Sequence, residues 1–232
     1  ESYKTILDPT YFKVILKSLK AAGITTILCL LLGYPLAYII AHKPKDTAAK
    51  LITLIMIPFW TNSLMRLNSW LLLFQTSGPI NNLLVGTGIV KEPITFIYTD
   101  GLVLIGLITN MLPFAVLPLY STIEKLDKSL IEASADLGAS AATTFMRVTL
   151  PITFPVFFSD HPCIYPEPGI YTVTDMLGGG KILYIGNIIK NQFGSIRNWP
   201  LGAALSVLLI VITMLLIFIY TRFAKIEDME VV

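Results

Sequence analysis

Two short stretches hold the residue types that could do chemistry. Gly178-Gly179-Gly180-Lys181 has the glycines and lysine of a loop that cradles phosphates. Such a loop also needs a Ser or Thr after the lysine to hold magnesium and a glycine further upstream, and Ile182 and Asp175 occupy those positions. The glycines therefore read as a tight turn. Asp160, His161, Cys163 and Glu167 are metal-ligand types, but prolines at 155, 162, 166 and 168 deny them a regular ligand geometry. No second cluster accompanies them, and we expect no metal site. The apolar runs contain no Ser-His or paired-carboxylate arrangement of the kind hydrolysis needs. What remains is a polar segment from Ser129 to Pro151, with Glu132 and Asp136 one helical turn apart, and a few polar or aromatic groups set among apolar residues: Trp60, Asn62, Asn110, Tyr171 and Asp175.

The elements that must position these groups are long and apolar. Of the residues 54% are hydrophobic and 14% charged, with a mean hydropathy of +0.72, which is the composition of a membrane protein. A net charge of +2 gives no reason to expect a nucleic-acid partner. Ala21 to Ala41 carries no charge; at about 1.5 Å per residue it crosses a hydrocarbon core of about 30 Å. Leu51 to Phe74 is a second span, bent by Pro58 and carrying Arg66. Gly101 to Ser121 is a third, with Asn110, Pro113 and Pro118 inside it, and Leu201 to Thr221 is a further one. Proline and asparagine inside spans suit helices that break or line a pathway. Cys29 reads as a small apolar side chain. The chain opens at Glu1 with no signal-like stretch, as expected of a piece that starts inside a longer protein.

A span over 152–173 should return the chain across the membrane, yet it contains Asp160, His161, Glu167 and four prolines. Each central carboxylate costs about 2.5–3.5 kcal/mol on insertion scales. One permissible back-translation of Ser159 to Gly169, read one base later, encodes AIILVFIPSLG, an apolar span segment. We expect a local frame error, restored near Ile170, to account for the anomaly.

The polar segment has the marks of a helical hairpin. Ser129 and Glu132 have capping-box spacing, Ala133 to Leu137 suit a short helix, and Gly138 can end it in the left-handed conformation. A second helix is predicted to start at Ser140 and stop near Pro151. Glu132-Ala133, then Gly138, Val148 and Leu150-Pro151 have a spacing that resembles the EAA loop of ABC importer permeases. LDPTYF at 7–12, IPFWTNSLMR at 57–66, GPINNLL at 78–84, DMLGGGKILYIGNII at 175–189 and NWPLGAALS at 198–206 extend the resemblance. Together they look like the B-type permease subunits of bacterial spermidine/putrescine importers.

That resemblance implies an all-α polytopic fold, the transmembrane domain of a type I ABC importer. Residues 1–232 would form one domain, with the loop 122–151 as coupling loop, the first span of the family missing and the fifth irregular. It implies a second permease subunit, an ATPase homodimer that carries ATP and magnesium, and an extracytoplasmic binding protein, with no cofactor in this chain. It places Glu132, Ala133, Asp136 and Gly138 at the ATPase and puts the loop in the cytoplasm of a bacterial inner membrane. Charge alone does not orient the chain: eight Lys or Arg fall in the loops on each side, with Arg66 left over from seventeen. A polyamine is a flexible polycation, so its pathway needs carboxylates, carbonyl-type acceptors and aromatic faces. Asp175 is the first candidate, with Trp60, Asn62, Asn110 and Tyr171; Trp60 and Tyr171 also suit interfacial anchoring, and Asn110 a helix bridge. Arg66 would repel a polycation and suits a structural pair. An importer of ferric ion or thiamine is the alternative within transport; a membrane-embedded hydrolase or a passive channel belongs to other classes.

Overall fold

The computed structural model describes residues 8–153 and 170–223, and every regular element among them is helical. In chain order these are α1 (Pro9–Ala41), α2 (Lys45–Trp60), α3 (Ser63–Phe74), α4 (Pro79–Gly86), α5 (Asp100–Lys125), α6 (Lys128–Asp136), α7 (Ala141–Thr144), a π-helical turn (Phe145–Thr149), α8 (Ile170–Gly178), α9 (Ile185–Phe193) and α10 (Trp199–Phe223). Three of them, α1, α5 and α10, are long and apolar enough to cross a membrane. The stretch 159–169, with the frame-error and metal readings placed on it, lies outside the described residues.

The helices run further than their apolar runs alone predict. α1 begins at Pro9, because Asp8 caps it by accepting the Thr10 N–H at 2.8 Å, and proline at the first helical position loses no bond. The expected second span is broken, and not at Pro58, which lies within α2. The break falls at Thr61, whose extended backbone (φ −76°, ψ 148°) ends α2, while its hydroxyl donates to the Pro58 carbonyl at 2.6 Å. Thr61 thereby takes up one of the carbonyls that a helix end leaves open.

The chain divides into two units. One comprises, of the described residues, 26–63 and 108–153. Its core is built from Cys29, Tyr34, Ala37 and Ile40 of α1, Ala48 of α2, and Met111, Ala115, Val116, Leu119 and Ile123 of α5, all buried. At Gly33 α1 and α5 lie close, and an added Cβ would just touch that of Ala115 at 3.4 Å. Phe59 meets Phe114 edge to face at 4.9 Å.

The other unit comprises, of the described residues, 8–25, 64–107 and 170–223. Ala21, Leu67, Leu102, Val103, Leu107, Val173, Leu177, Ile182 and Tyr184 form one of its cores. Gly106 is required there: a Cβ would collide with Leu177 and Val173 of α8. Ile15, Ile185, Leu201 and Leu205 seat α9 between α1 and α10. The turn between α8 and α9 places Gly179 at φ +55° and Gly180 at φ +72°, so the triple glycine makes a tight turn, as its sequence suggests. Gly179 also lies under the Tyr98 ring, where no side chain fits.

Candidate functional site

The polar hairpin belongs to the first unit, and its arms are locked together. α6 is capped by Asp127, whose carboxylate accepts the Ser129 N–H at 2.9 Å. The expected capping box of Ser129 and Glu132 is not formed: Asp127 takes the cap two residues earlier, which leaves Ser129 inside the first turn and Glu132 in mid-helix. These backbone and side-chain bonds from Ser129 hold the exposed Asp127 carboxyl below its ordinary value of 3.8. At the other end the left-handed Gly138 (φ +78°) donates to Ala135 O at 2.8 Å and Ala139 N donates to Ser134 O at 3.0 Å, a Schellman stop. Ser134 and Thr144 share a 2.7 Å hydroxyl bond that ties α6 to α7.

Behind α7 the helix widens into the π-turn, where Leu150 N reaches Phe145 O. It then continues through Pro151 to at least residue 153 rather than stopping at the proline. Proline clashes with the carbonyl four residues back, and one wide turn immediately before it relieves that clash. The same turn aims Phe145 between two tyrosines of α1: Tyr34 at 5.6 Å and Tyr38 at 5.5 Å, both edge to face. Tyr34 also shares a 2.6 Å hydroxyl bond with the buried Thr153, whose own hydroxyl donates onward to Thr149 O at 2.8 Å. The hairpin is thus anchored at its base by rings and buried hydroxyls. Its outer side is bare. Leu130, Glu132, Ala133, Asp136 and Gly138 are exposed, and Leu137 is 89% exposed. Leu130, Ala133 and Leu137 recur at helical spacing, with Glu132 and Asp136 beside them, and neither carboxylate joins an ion pair among the described residues.

The five pathway candidates divide between the two units. Trp60, at the end of α2, is 80% exposed; Asn62 lies in the break that follows, and Asn110 sits half-buried in α5. Tyr171 and Asp175 lie one turn apart on α8 in the other unit. The structure brings these two together with a residue that sequence reasoning misses. Lys190 of α9 forms an ion pair with Asp175, and its ammonium lies 5.9 Å from the centre of the Tyr171 ring. The buried Asn187, one turn before Lys190, places its amide 3.5 Å from Asp175 Oδ1 and 3.2 Å from the Tyr171 carbonyl. Thr174 donates to the Asn187 carbonyl oxygen, which also accepts the Tyr184 N–H at 3.3 Å. A second pair, Lys17 with Asp100 at 2.9 Å, lies in the same unit, with Lys17 5.6 Å from the Tyr184 ring. The only sequence signal for Lys190 is its place one turn after Asn187 on an amphipathic segment, which does not reveal the partner.

Helices of membrane-crossing length, broken or proline-bearing within their spans, together with an exposed polar hairpin rooted in the helix core, define a polytopic membrane transport subunit. Residues 33–228 match the family described as "Binding-protein-dependent transport system inner membrane component", and the chain belongs to that family. It is 43% identical over 232 residues to the spermidine/putrescine transport system permease protein PotB of Escherichia coli (strain K12), covering 100% of this chain and 84% of that protein. The PotB of Haemophilus influenzae is 42% identical, with 81% of its length covered. The inner membrane ABC transporter permease protein YdcU of Escherichia coli is 28% identical over 236 residues, with 96% of this chain and 74% of that protein covered. Among solved structures, a bacterial ABC transporter involved in import of the acidic polysaccharide alginate superposes with a TM-score of 0.78 at 16% identity, covering 97% of this chain and 84% of that one. An amino acid ABC transporter with histidines superposes with a TM-score of 0.59 at 15% identity, covering 96% of each. The fold is that of an ABC importer transmembrane domain, and the chain is a permease subunit rather than an enzyme.

Proposed function

We propose that this chain is the permease subunit of a polyamine importer, forming half of a translocation pathway for spermidine or putrescine in a bacterial inner membrane. The observation that carries the reading is the 43% identity to a spermidine/putrescine permease over all 232 residues. The hairpin supports the mechanical half of it. An apolar stripe of Leu130, Ala133 and Leu137 flanked by Glu132 and Asp136 suits a helix lying in a groove with basic residues at its rim. A separate ATPase homodimer, holding ATP and magnesium, supplies that groove, and this chain needs no cofactor of its own. A second permease subunit completes the pathway, and an extracytoplasmic binding protein delivers the cargo.

In this mechanism ATP-driven closure of the ATPase moves α6 as a rigid lever. The Ser134–Thr144 bond and the clasp of Phe145 transmit the motion to α1, and the spans rock about a pathway near the middle of the membrane. Asp175 and Tyr171 attract the cationic cargo, with Trp60, Asn62 and Asn110 as further lining groups. Uptake by the assembly reconstituted in vesicles tests the reading. ATP-dependent accumulation of spermidine, competed by putrescine and not by ferric ion or thiamine, is the expected result; competition by one of the latter would reassign the substrate.

A further inference from the structure

The carboxylate chosen for the cargo is already holding an ammonium. Asp175 pairs with Lys190, whose Nζ also lies 5.9 Å from the Tyr171 ring centre, while Asn187 directs an amide at the other carboxylate oxygen. A carboxylate and an aromatic face are the two groups that recognise a primary alkylammonium, and a lysine side chain is a butylammonium on a tether. Putrescine, a diaminobutane, ends in the same group on a stem of the same length. The contacts made by Lys190 are therefore those a cargo terminus would make.

We propose that Lys190 is a tethered competitor for the cargo at Asp175, which keeps the carboxylate occupied between transport events and sets the affinity a free polyamine must exceed. This rests on the polyamine reading of the permease. The pair is suited to exchange. The two side chains are 45% and 40% exposed, and an ion pair so open to water is weak. Lys190 lies on α9 and Asp175 on α8, joined by the glycine turn, so its release breaks no helix. The buried Asn187, held by Thr174, Tyr184 N and the Tyr171 carbonyl, fixes Asp175 while the lysine swings away. The tether acts as a filter as well. A monoamine exchanges one ammonium for another and gains little, whereas a polyamine gains further contacts from its remaining charges.

The test is spermidine and putrescine uptake by the complete reconstituted assembly with Lys190→Met, Lys190→Gln and Lys190→Arg, each normalised to the amount of inserted chain. Removing the ammonium frees Asp175, so the Met and Gln variants should lower KM for both polyamines about two- to fivefold. They should also let butylamine compete, with kcat unchanged or reduced. The Lys190→Arg variant, which keeps the cation, should restore a KM near that of the starting protein. In the background of Asp175→Asn, Lys190→Met should no longer change KM. Uptake with KM unchanged or raised in both neutral variants overturns the tether and leaves the polyamine reading standing. A starting assembly that takes up no polyamine overturns both.

Discussion

The hairpin at 127–153 and the Asp175 cluster at 171–190 satisfy their charged groups in opposite ways. In the hairpin the polar bonds close locally: Asp127 to Ser129, Ser134 to Thr144, Gly138 to Ala135. Its Glu132 and Asp136 face outward, and no ion pair engages them among the described residues. In the Asp175 cluster the carboxylate is met by a lysine fifteen positions away on the next helix, and a buried asparagine holds the geometry. On the proposed function the outward charges of the hairpin are there for another protein chain to meet. On the proposed tether the carboxylate of Asp175, already paired within its own chain, exchanges its lysine for a like cation.

The strongest way to break this comparison is at the hairpin. Gly138 sits at φ +78°, where a side chain is strained, so Gly138→Asp disrupts the stop that shapes α6. Either this variant or Glu132→Lys, which inverts a charge on the outer face, should reduce uptake about tenfold or more while insertion into the membrane stays near normal. Parallel measurement of ATPase recruitment and uptake checks this. Normal uptake with either variant would remove the docking assignment.

The next largest effect is expected at Asp175. Asp175→Asn removes the anion and should raise KM for polyamines severalfold with assembly intact. Arg66→Ala, on half-buried Arg66 of α3, should act through the yield of folded protein instead. Transport kinetics of Asp175→Asn indistinguishable from the starting protein would reject its role.

A smaller effect probes how the lever is rooted. Phe145→Ala deletes two edge-to-face ring pairs, together about 1–3 kcal/mol. It should lower the melting temperature of the assembly and the ratio of cargo moved to ATP consumed, whereas Phe145→Tyr should leave both nearly unchanged.

The smallest concerns the cap. The Asp127 carboxyl is held below its ordinary value of 3.8 by the Ser129 bonds, so it favours the folded hairpin above that value. That contribution is lost as pH falls through the lowered folded value. Asp127→Asn keeps the cap and should remove this acid dependence, read as hydrogen exchange at the first turn of α6 between about pH 5 and pH 2, roughly the range in which carboxylates protonate.

How much of this is legible in the sequence follows the same division. Gly138 and the Ser140 start are readable because capping depends on neighbours within four residues. The Ser129 and Glu132 pattern misleads, since Asp127 competes for the same N–H groups and no spacing rule says which acceptor wins. Pro58 and Pro151 suggest a bend and a stop, but the break falls at Thr61, and a π-turn carries the helix through Pro151. The fold class is readable from the long apolar runs. Lys190, Asn187 and the Phe145 clasp are not, because each depends on which helices pack together, and periodicity does not encode that.

The most direct measurement of coupling is spermidine accumulation in vesicles holding the full assembly, started by ATP, with the starting protein and Gly138→Asp side by side. Coupling through the hairpin gives ATP-dependent accumulation with the first, and binding of cargo without accumulation in the second. Equal accumulation in both, or accumulation without ATP, would contradict it.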